Sequence, residues 1–123
     1  MPISNKTVLI VEDSKSINKM LKFLFMSRGC TVEFAMNGID ALKILEKTIP
    51  DVIILDLMMP EMDGFELCGR LKDNSKHQDI PVVVLTASTD ANHKERIRSM
   101  GVYDYVEKPF SAADIVERVT KVI

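Results

Sequence analysis

Apolar positions along the chain fall into two alternating patterns. Short runs rich in β-branched residues occur at Thr7–Val11, Thr31–Ala35, Val52–Asp56, Val82–Thr86 and Val102–Val106. "VIIL" and "VVVL" are apolar without a break, as expected of strands covered on both faces. Between these runs, apolar residues recur every three or four positions, which predicts helices. The first helix carries Ile17, Met20, Leu21 and Leu24 as its stripe. The second opens at Asn37 with Asp40 three residues on, a capping-box-like start, and carries Ala41, Leu42 and Leu45. The third begins near Gly64 and carries Leu67, Cys68 and Leu71. The fourth, Ala91 to Met100, is weakly amphipathic: only Ile97 and Met100 are clearly apolar, and Gly101 follows as a C′ residue. The fifth starts at Ser111 with Asp114 three residues on, and its stripe is Ala112, Ile115, Val116 and Val119. Strand and helix alternate five times, which predicts an α/β fold: a parallel sheet with helices on both faces. The one long connector, Asp73 to Ile80, is polar, closed by Pro81, and expected to be a surface loop.

Composition narrows the picture without redirecting it. A chain of 123 residues is the size of one domain, expected here to span 1–123, and 46% hydrophobic with 28% charged residues is ordinary for a globular chain. A net charge of -2 gives no general pull toward nucleic acid or anionic membranes. Lys94, Arg96 and Arg98 cluster modestly, which reads as a solvated helix face. No apolar run approaches the roughly 18 residues of a membrane-spanning helix. Met1 to Lys6 lacks the basic and apolar regions of a signal peptide, so a cytoplasmic location is expected. Cys30 and Cys68 lack metal or redox spacing and sit among apolar residues, where buried thiols are the ordinary outcome.

In open α/β sheets, ligands bind beyond the carboxyl ends of the strands. Glu12 and Asp13 follow the first strand, Asp56 ends the third and Thr86 ends the fourth. Lys108 and Pro109 stand just past the fifth. If the first and third strands are neighbours, three carboxylates converge, and their repulsion calls for a cation. Oxygen-only ligands in small number suit Mg²⁺; His77 and His93 lie in polar segments and are expected at the surface. Magnesium held by few protein groups ordinarily awaits a phosphate. Lys108 offers a point positive charge for one and Thr86 a hydroxyl donor. No glycine-rich phosphate loop is present, so a nucleotide site has little support. A carboxylate can instead act as nucleophile and form an aspartyl-phosphate, and Asp56 is the best-placed candidate. Each signal alone has a plainer reading: a strand-end acid is commonly a cap, and acids favour the first turn of a helix. Their joint occurrence at matching strand ends is what carries weight.

The motifs "VLIVEDS" (Val8 to Ser14), "VIILDLMMPEMDG" (Val52 to Gly64), "PVVVLTAS" (Pro81 to Ser88) and "YDYVEKPF" (Tyr103 to Phe110) resemble those of response-regulator receiver domains (CheY-like) of two-component signalling. The resemblance covers essentially the whole chain. It implies a flavodoxin-like (βα)5 fold with strand order 2-1-3-4-5. It also implies that Asp56 accepts a phosphoryl group from a phosphohistidine. Asp13 would hold Mg²⁺ directly and Glu12 through water, in a metal site that also includes Asp56, with the backbone carbonyl of Met58 completing it. Lys108 would contact the phosphoryl oxygens, with a cis bond to Pro109. Thr86 and Tyr105 would act as the switch, shifting a pre-existing equilibrium that is read on the fourth helix, fifth strand and fifth helix. The implied partners are a sensor histidine kinase or phosphotransfer protein, a downstream output protein and a phosphatase, with no direct nucleic-acid contact and no membrane insertion. The implied catalysis is limited to the domain's own phosphorylation and dephosphorylation.

Some residues depart from the pattern or extend it. Glu12 stands where many relatives carry Asp. Tyr103 replaces a small or polar residue, and either contacts a partner or packs on the fourth helix. Met58 and Ser88 lie where the family tunes dephosphorylation, and Met58, Met59 and Met62 read as core filler. Two other functions compete. A phosphohydrolase with an aspartyl-phosphate intermediate needs a further acid or base, and none is evident beside Asp56. A phosphorylation-independent binding module leaves the set Glu12, Asp13, Asp56, Thr86 and Lys108 without a purpose. No output segment is seen after the fifth helix, so output is expected through another protein or through the rest of a longer regulator.

Overall fold

Each β-branched run finds a parallel neighbour. The computed structural model describes residues 4–57, 62–87 and 91–123, apart from the side chains of residues 91 and 93. Strands β1 (Thr7–Val11), β2 (Thr31–Ala35), β3 (Val52–Asp56), β4 (Val82–Thr86) and β5 (Asp104–Glu107) alternate with helices α1 (Lys15–Met26), α2 (Gly38–Leu45), α3 (Gly64–Lys72), α4 (Ala91–Ser99) and α5 (Ala112–Val122). The strands lie in the order β2-β1-β3-β4-β5, all parallel. This is the flavodoxin-like arrangement. The order reverses between β1 and β3, and that reversal opens a crevice beyond their carboxyl ends.

The period of two along each strand sorts the core into two layers. Leu9, Val11, Ile53, Leu55, Val82 and Val84 face one way, and pack with Ala41 and Leu45 of α2, Leu67 and Leu71 of α3, and Ile97 of α4. Val8, Ile10, Val52, Ile54, Val83, Leu85 and Val106 face the other way, toward Leu21 and Phe25 of α1 and Ile115 and Val119 of α5. β3 and β4 are buried at every position, which is why their sequences show no alternation.

Polar side chains fix where the helices begin. Ser14, Asn37, Asp63 and Ser111 accept bonds from the amides of Ile17, Asp40, Glu66 and Asp114. Such a cap contributes about 1 kcal/mol. The capping-box-like start of α2 is half realised: its second arm joins Asn37 Nδ2 to Asp40 Oδ2 at 3.3 Å instead of reaching the backbone. Gly101 takes φ +73 after α4, as expected of a C′ residue.

Several expectations are corrected. The buried face of α1 is Asn18, Leu21 and Phe25, so Met20, expected in the stripe, is 42% exposed. The amide of Asn18 reaches backbone carbonyls at the strand ends and sets the rotation of the helix. β5 begins at Asp104 and not at Val102. Residues 102 and 103 still complete the turn out of α4, where the Tyr103 amide donates to the Val82 carbonyl at 2.9 Å. Ala112 of α5 is exposed. The 73–80 connector is only partly a surface loop, because Ile80 and His77 are buried. His77 is therefore no surface histidine: its Nε2 lies 3.1 Å from the Leu45 carbonyl and ties the connector to the end of α2. The His93 side chain lies outside the described residues, as do Met58, Met59 and Ser88. Met62 is core filler as expected, packed against Gly38. Cys30 and Cys68 are buried and take part in no disulfide.

Candidate functional site

β1 and β3 are direct neighbours, with Val11 opposite Leu55, so the acids that follow them meet at one edge. Glu12, Asp13 and Asp56 each bring a carboxylate oxygen within 4.8 Å of the others. Glu12 and Asp56 are buried, and Asp13 is half-buried. From the far side of the sheet, Lys108 Nζ reaches Glu12 Oε1 at 3.2 Å and Asp56 Oδ1 at 3.4 Å. The backbone after β5 is held for this by a 2.7 Å bond from the Lys108 amide to the Thr86 carbonyl. The Lys108–Pro109 bond is cis. Thr86 is buried at the end of β4, next to Asp56 in the sheet edge.

One lysine does not balance three acids. Burial, reinforced by a hydrogen bond to Asp56 and by its charge, raises the Glu12 carboxyl to about 8, against an opposing pull from Lys108. Near neutral pH Glu12 therefore holds a proton on the face it shares with Asp56. A hard cation at this edge would replace that proton. The donor set fits one: carboxylate oxygens alone, few enough to leave coordination positions to water and a ligand. Histidine and cysteine are absent from the cluster.

Tyr105 is half-buried on β5 and packs against the core layer beneath α2, α3 and α4. Tyr103 is 51% exposed. The cations of α4 are less idle than a solvated face implies. Lys94 pairs with Glu107 of β5 at 3.0 Å, and Arg96 lies 3.6 Å from the ring centroid of Phe65 on α3.

Two residues near the site escape a search for chemistry-bearing side chains. A Cβ on Gly64 would fall 2.7 Å from the Leu57 Cα and 2.9 Å from the Asp56 carbonyl oxygen. Only glycine lets α3 start this close to the Asp56 backbone. Asn18 donates from Nδ2 to the Glu12 carbonyl at 2.9 Å and the Ala35 carbonyl at 3.2 Å. Its signal in the sequence is a lone amide within the apolar face of α1.

A sheet of this order, with clustered acids and one lysine beyond its carboxyl ends, defines a flavodoxin-like domain suited to a divalent cation and a phosphoryl group. The profile of the response regulator receiver domain matches residues 8–120, and the chain belongs to that family, the phosphorylation-activated signalling switches of two-component systems. Members are phosphoacceptor proteins and not classical enzymes. The chain is similar to protein PilG of Pseudomonas aeruginosa, 35% identical over 109 residues, covering 89% of this chain and 81% of PilG. Other curated relatives are about twice its length: it spans 46% of one and 47% of another. Among solved structures it resembles the chemotaxis protein CheY4 of Vibrio cholerae, with a TM-score of 0.91 and 32% identity over 98% of this chain and 100% of that one. The receiver domain of a Pseudomonas aeruginosa sensor histidine kinase, crystallised with magnesium in its active-site cleft, shares the fold. Its TM-score is 0.88 at 24% identity, over 97% and 98% of the two chains. No helix among the described residues is long and apolar enough to cross a membrane.

Proposed function

We propose that residues 1–123 form one receiver domain whose phosphoacceptor is Asp56, supplied by a histidine kinase or phosphotransfer protein in the cytoplasm. The observation that carries this is the position of Lys108, whose ammonium group lies between Glu12 and Asp56. An Asp56 oxygen attacks the phosphorus of a phosphohistidine. The P–N bond breaks, the imidazole nitrogen leaves with the bond's electron pair, and an aspartyl-phosphate forms. Lys108 turns from the carboxylates to the new phosphoryl oxygens, as a compact charge on a flexible stem can. Thr86 supplies a hydroxyl to the same group. Glu12, Asp13 and Asp56 would hold Mg²⁺, with the Met58 carbonyl as a further protein ligand. When bound, the ion supplies positive charge to the phosphoryl oxygens.

The phosphoryl group adds about -1.5 to -2 charge at one strand end. Thr86 and Lys108 gain differential interactions with it, which is what shifts a two-state equilibrium. Tyr105, one strand over from Thr86, would turn inward as that shift occurs. The readout surface is α4, β5 and α5, toward a downstream output protein. Slow attack of water on the aspartyl-phosphate, or a phosphatase, resets the domain. A small acyl phosphate with Mg²⁺ is expected to add one phosphate to the wild-type chain, read by intact mass. Asp56→Asn is expected to remain unlabelled; labelling equal to wild type overturns the assignment.

A further inference from the structure

We propose that Asn18 is a positioning residue for the acid cluster: its side-chain amide fixes the backbone of Glu12 and thereby sets how tightly, and how selectively, the sheet edge binds Mg²⁺. This rests on the reading of Glu12, Asp13 and Asp56 as a Mg²⁺ site.

Asn18 is 4% exposed, on the face of α1 that also buries Leu21 and Phe25. A leucine would continue that face. A buried amide persists in such a setting when its hydrogens are bonded. Nδ2 carries two hydrogens, and they meet two carbonyls, those of Glu12 and Ala35, with the Met36 sulfur 3.6 Å away. The Ala35 carbonyl also accepts the Glu12 amide at 3.1 Å. Glu12 is therefore gripped at both ends of its backbone, its N–H by β2 and its C=O by α1. The paired register of β1 with β2 ends at Val11 and Ala35, so these bonds extend the strand's order by one residue into the turn. The gripped carbonyl belongs to the peptide unit that carries the nitrogen of Asp13. Holding that planar unit orients both acids at once.

Asn18 touches neither a cation nor a phosphoryl group, and its effect is on geometry. Mg²⁺ demands near-ideal octahedral placement at short distances, whereas Ca²⁺ accepts a looser and larger shell. Loosening Glu12 and Asp13 must therefore weaken Mg²⁺ more than Ca²⁺. A purely structural role, in which Asn18 only supports the packing of α1, moves the melting temperature and leaves the ratio of the two affinities alone.

The test is calorimetric titration of the metal-free full chain with Mg²⁺ and with Ca²⁺, alongside thermal melting. Asn18→Leu keeps the volume and removes the donors. It is expected to weaken Mg²⁺ by about tenfold, the lower end for groups that orient metal ligands, with a smaller loss for Ca²⁺. Asn18→Asp also keeps the shape, but turns oxygen toward two carbonyls while adding negative charge. It is expected to bind Mg²⁺ more weakly than wild type despite that charge, and it carries the same reading if the leucine variant does not fold. Asn18→His, which places a ring N–H near the position of Nδ2, is expected to recover part of the Mg²⁺ affinity. Mg²⁺ binding unchanged in Asn18→Leu, or tightened in Asn18→Asp, overturns the proposal alone. Failure of the wild-type chain to bind Mg²⁺ overturns the site reading and this proposal with it.

Discussion

Glu12 binds a proton far more readily in the folded chain than a carboxyl does in water, at about 8 against an ordinary 4.5, with burial the largest cause. The sign of the effect on stability follows from proton counting. Between those two values the folded chain holds the proton that the unfolded chain releases. The contribution is therefore fully present below about pH 4.5 and is lost as pH rises through about 8. For one group its slope cannot exceed about 1.4 kcal/mol per pH unit. Denaturant melts of the metal-free protein between pH 5 and pH 8.5, in chelator, are expected to show stability falling with pH. Glu12→Gln, which cannot titrate, is expected to flatten that fall; parallel profiles for the two proteins would show that Glu12 is not the group responsible. A metal bound there would compete with the proton for the same oxygens, so cation binding below about pH 8 would release a proton. Much of this chemistry is legible at single positions. Glu12, Asp13, Asp56, Thr86 and Lys108 all stand at the strand ends where alternation of strand and helix places them. Gly64 and Asn18 are not legible in that way, because a missing Cβ and a buried amide act through backbone approach, which no periodicity encodes.

Helix α4 is held differently from its fellows. Of its described side chains only Ile97 is buried, whereas α1, α3 and α5 each bury two or more. Its flanks are fastened by charge: Lys94 to Glu107 on one side and Arg96 over Phe65 on the other. Partly exposed ion pairs of this kind are weak and screened by salt, so the helix opens at low cost. Hydrogen exchange is expected to be faster in α4 than in α1 or α5, and Glu107→Gln is expected to raise it a few-fold in α4 alone. An equal rise across all three helices would mean that the pair supports the whole fold. The polar sequence of α4 already shows this weak anchoring. The rotation of α1 is harder to read, since Met20 and Asn18 lie on either side of Leu21 and an apolar count favours the methionine. What decides it is a bond from Asn18 to carbonyls of β2 and the β1 turn, a tertiary contact that outweighs the local pattern. The late start of β5 has a similar origin, because Val102 has a strand-like side chain but belongs to a turn closed by Gly101.

At the scale of the whole molecule, the sheet divides the interior into two apolar layers and leaves the uncompensated charge at one rim. The uneven balance there gives a direct expectation. On the proposed function Mg²⁺ would bind the folded rim and not the dispersed acids of the unfolded chain, and would then raise the melting temperature by mass action, worth about 2.7 kcal/mol at a hundred times the dissociation constant. Thermal melts across millimolar Mg²⁺ at fixed ionic strength are the check. An unchanged midpoint would argue against a metal site at this rim.

The Lys108–Glu12 contact joins residues 96 positions apart, and β5 is the last of the five described strands and an outer one in the sheet. The acids are made well before their counter-charge. A partly synthesised chain has an acidic rim with no lysine to face it, and no fragment that stops before residue 108 can hold both. On the proposed function, competence to take a phosphoryl group would arise only once β5 has joined the sheet, and a response would be withheld from every molecule whose sheet is not yet closed at its far edge.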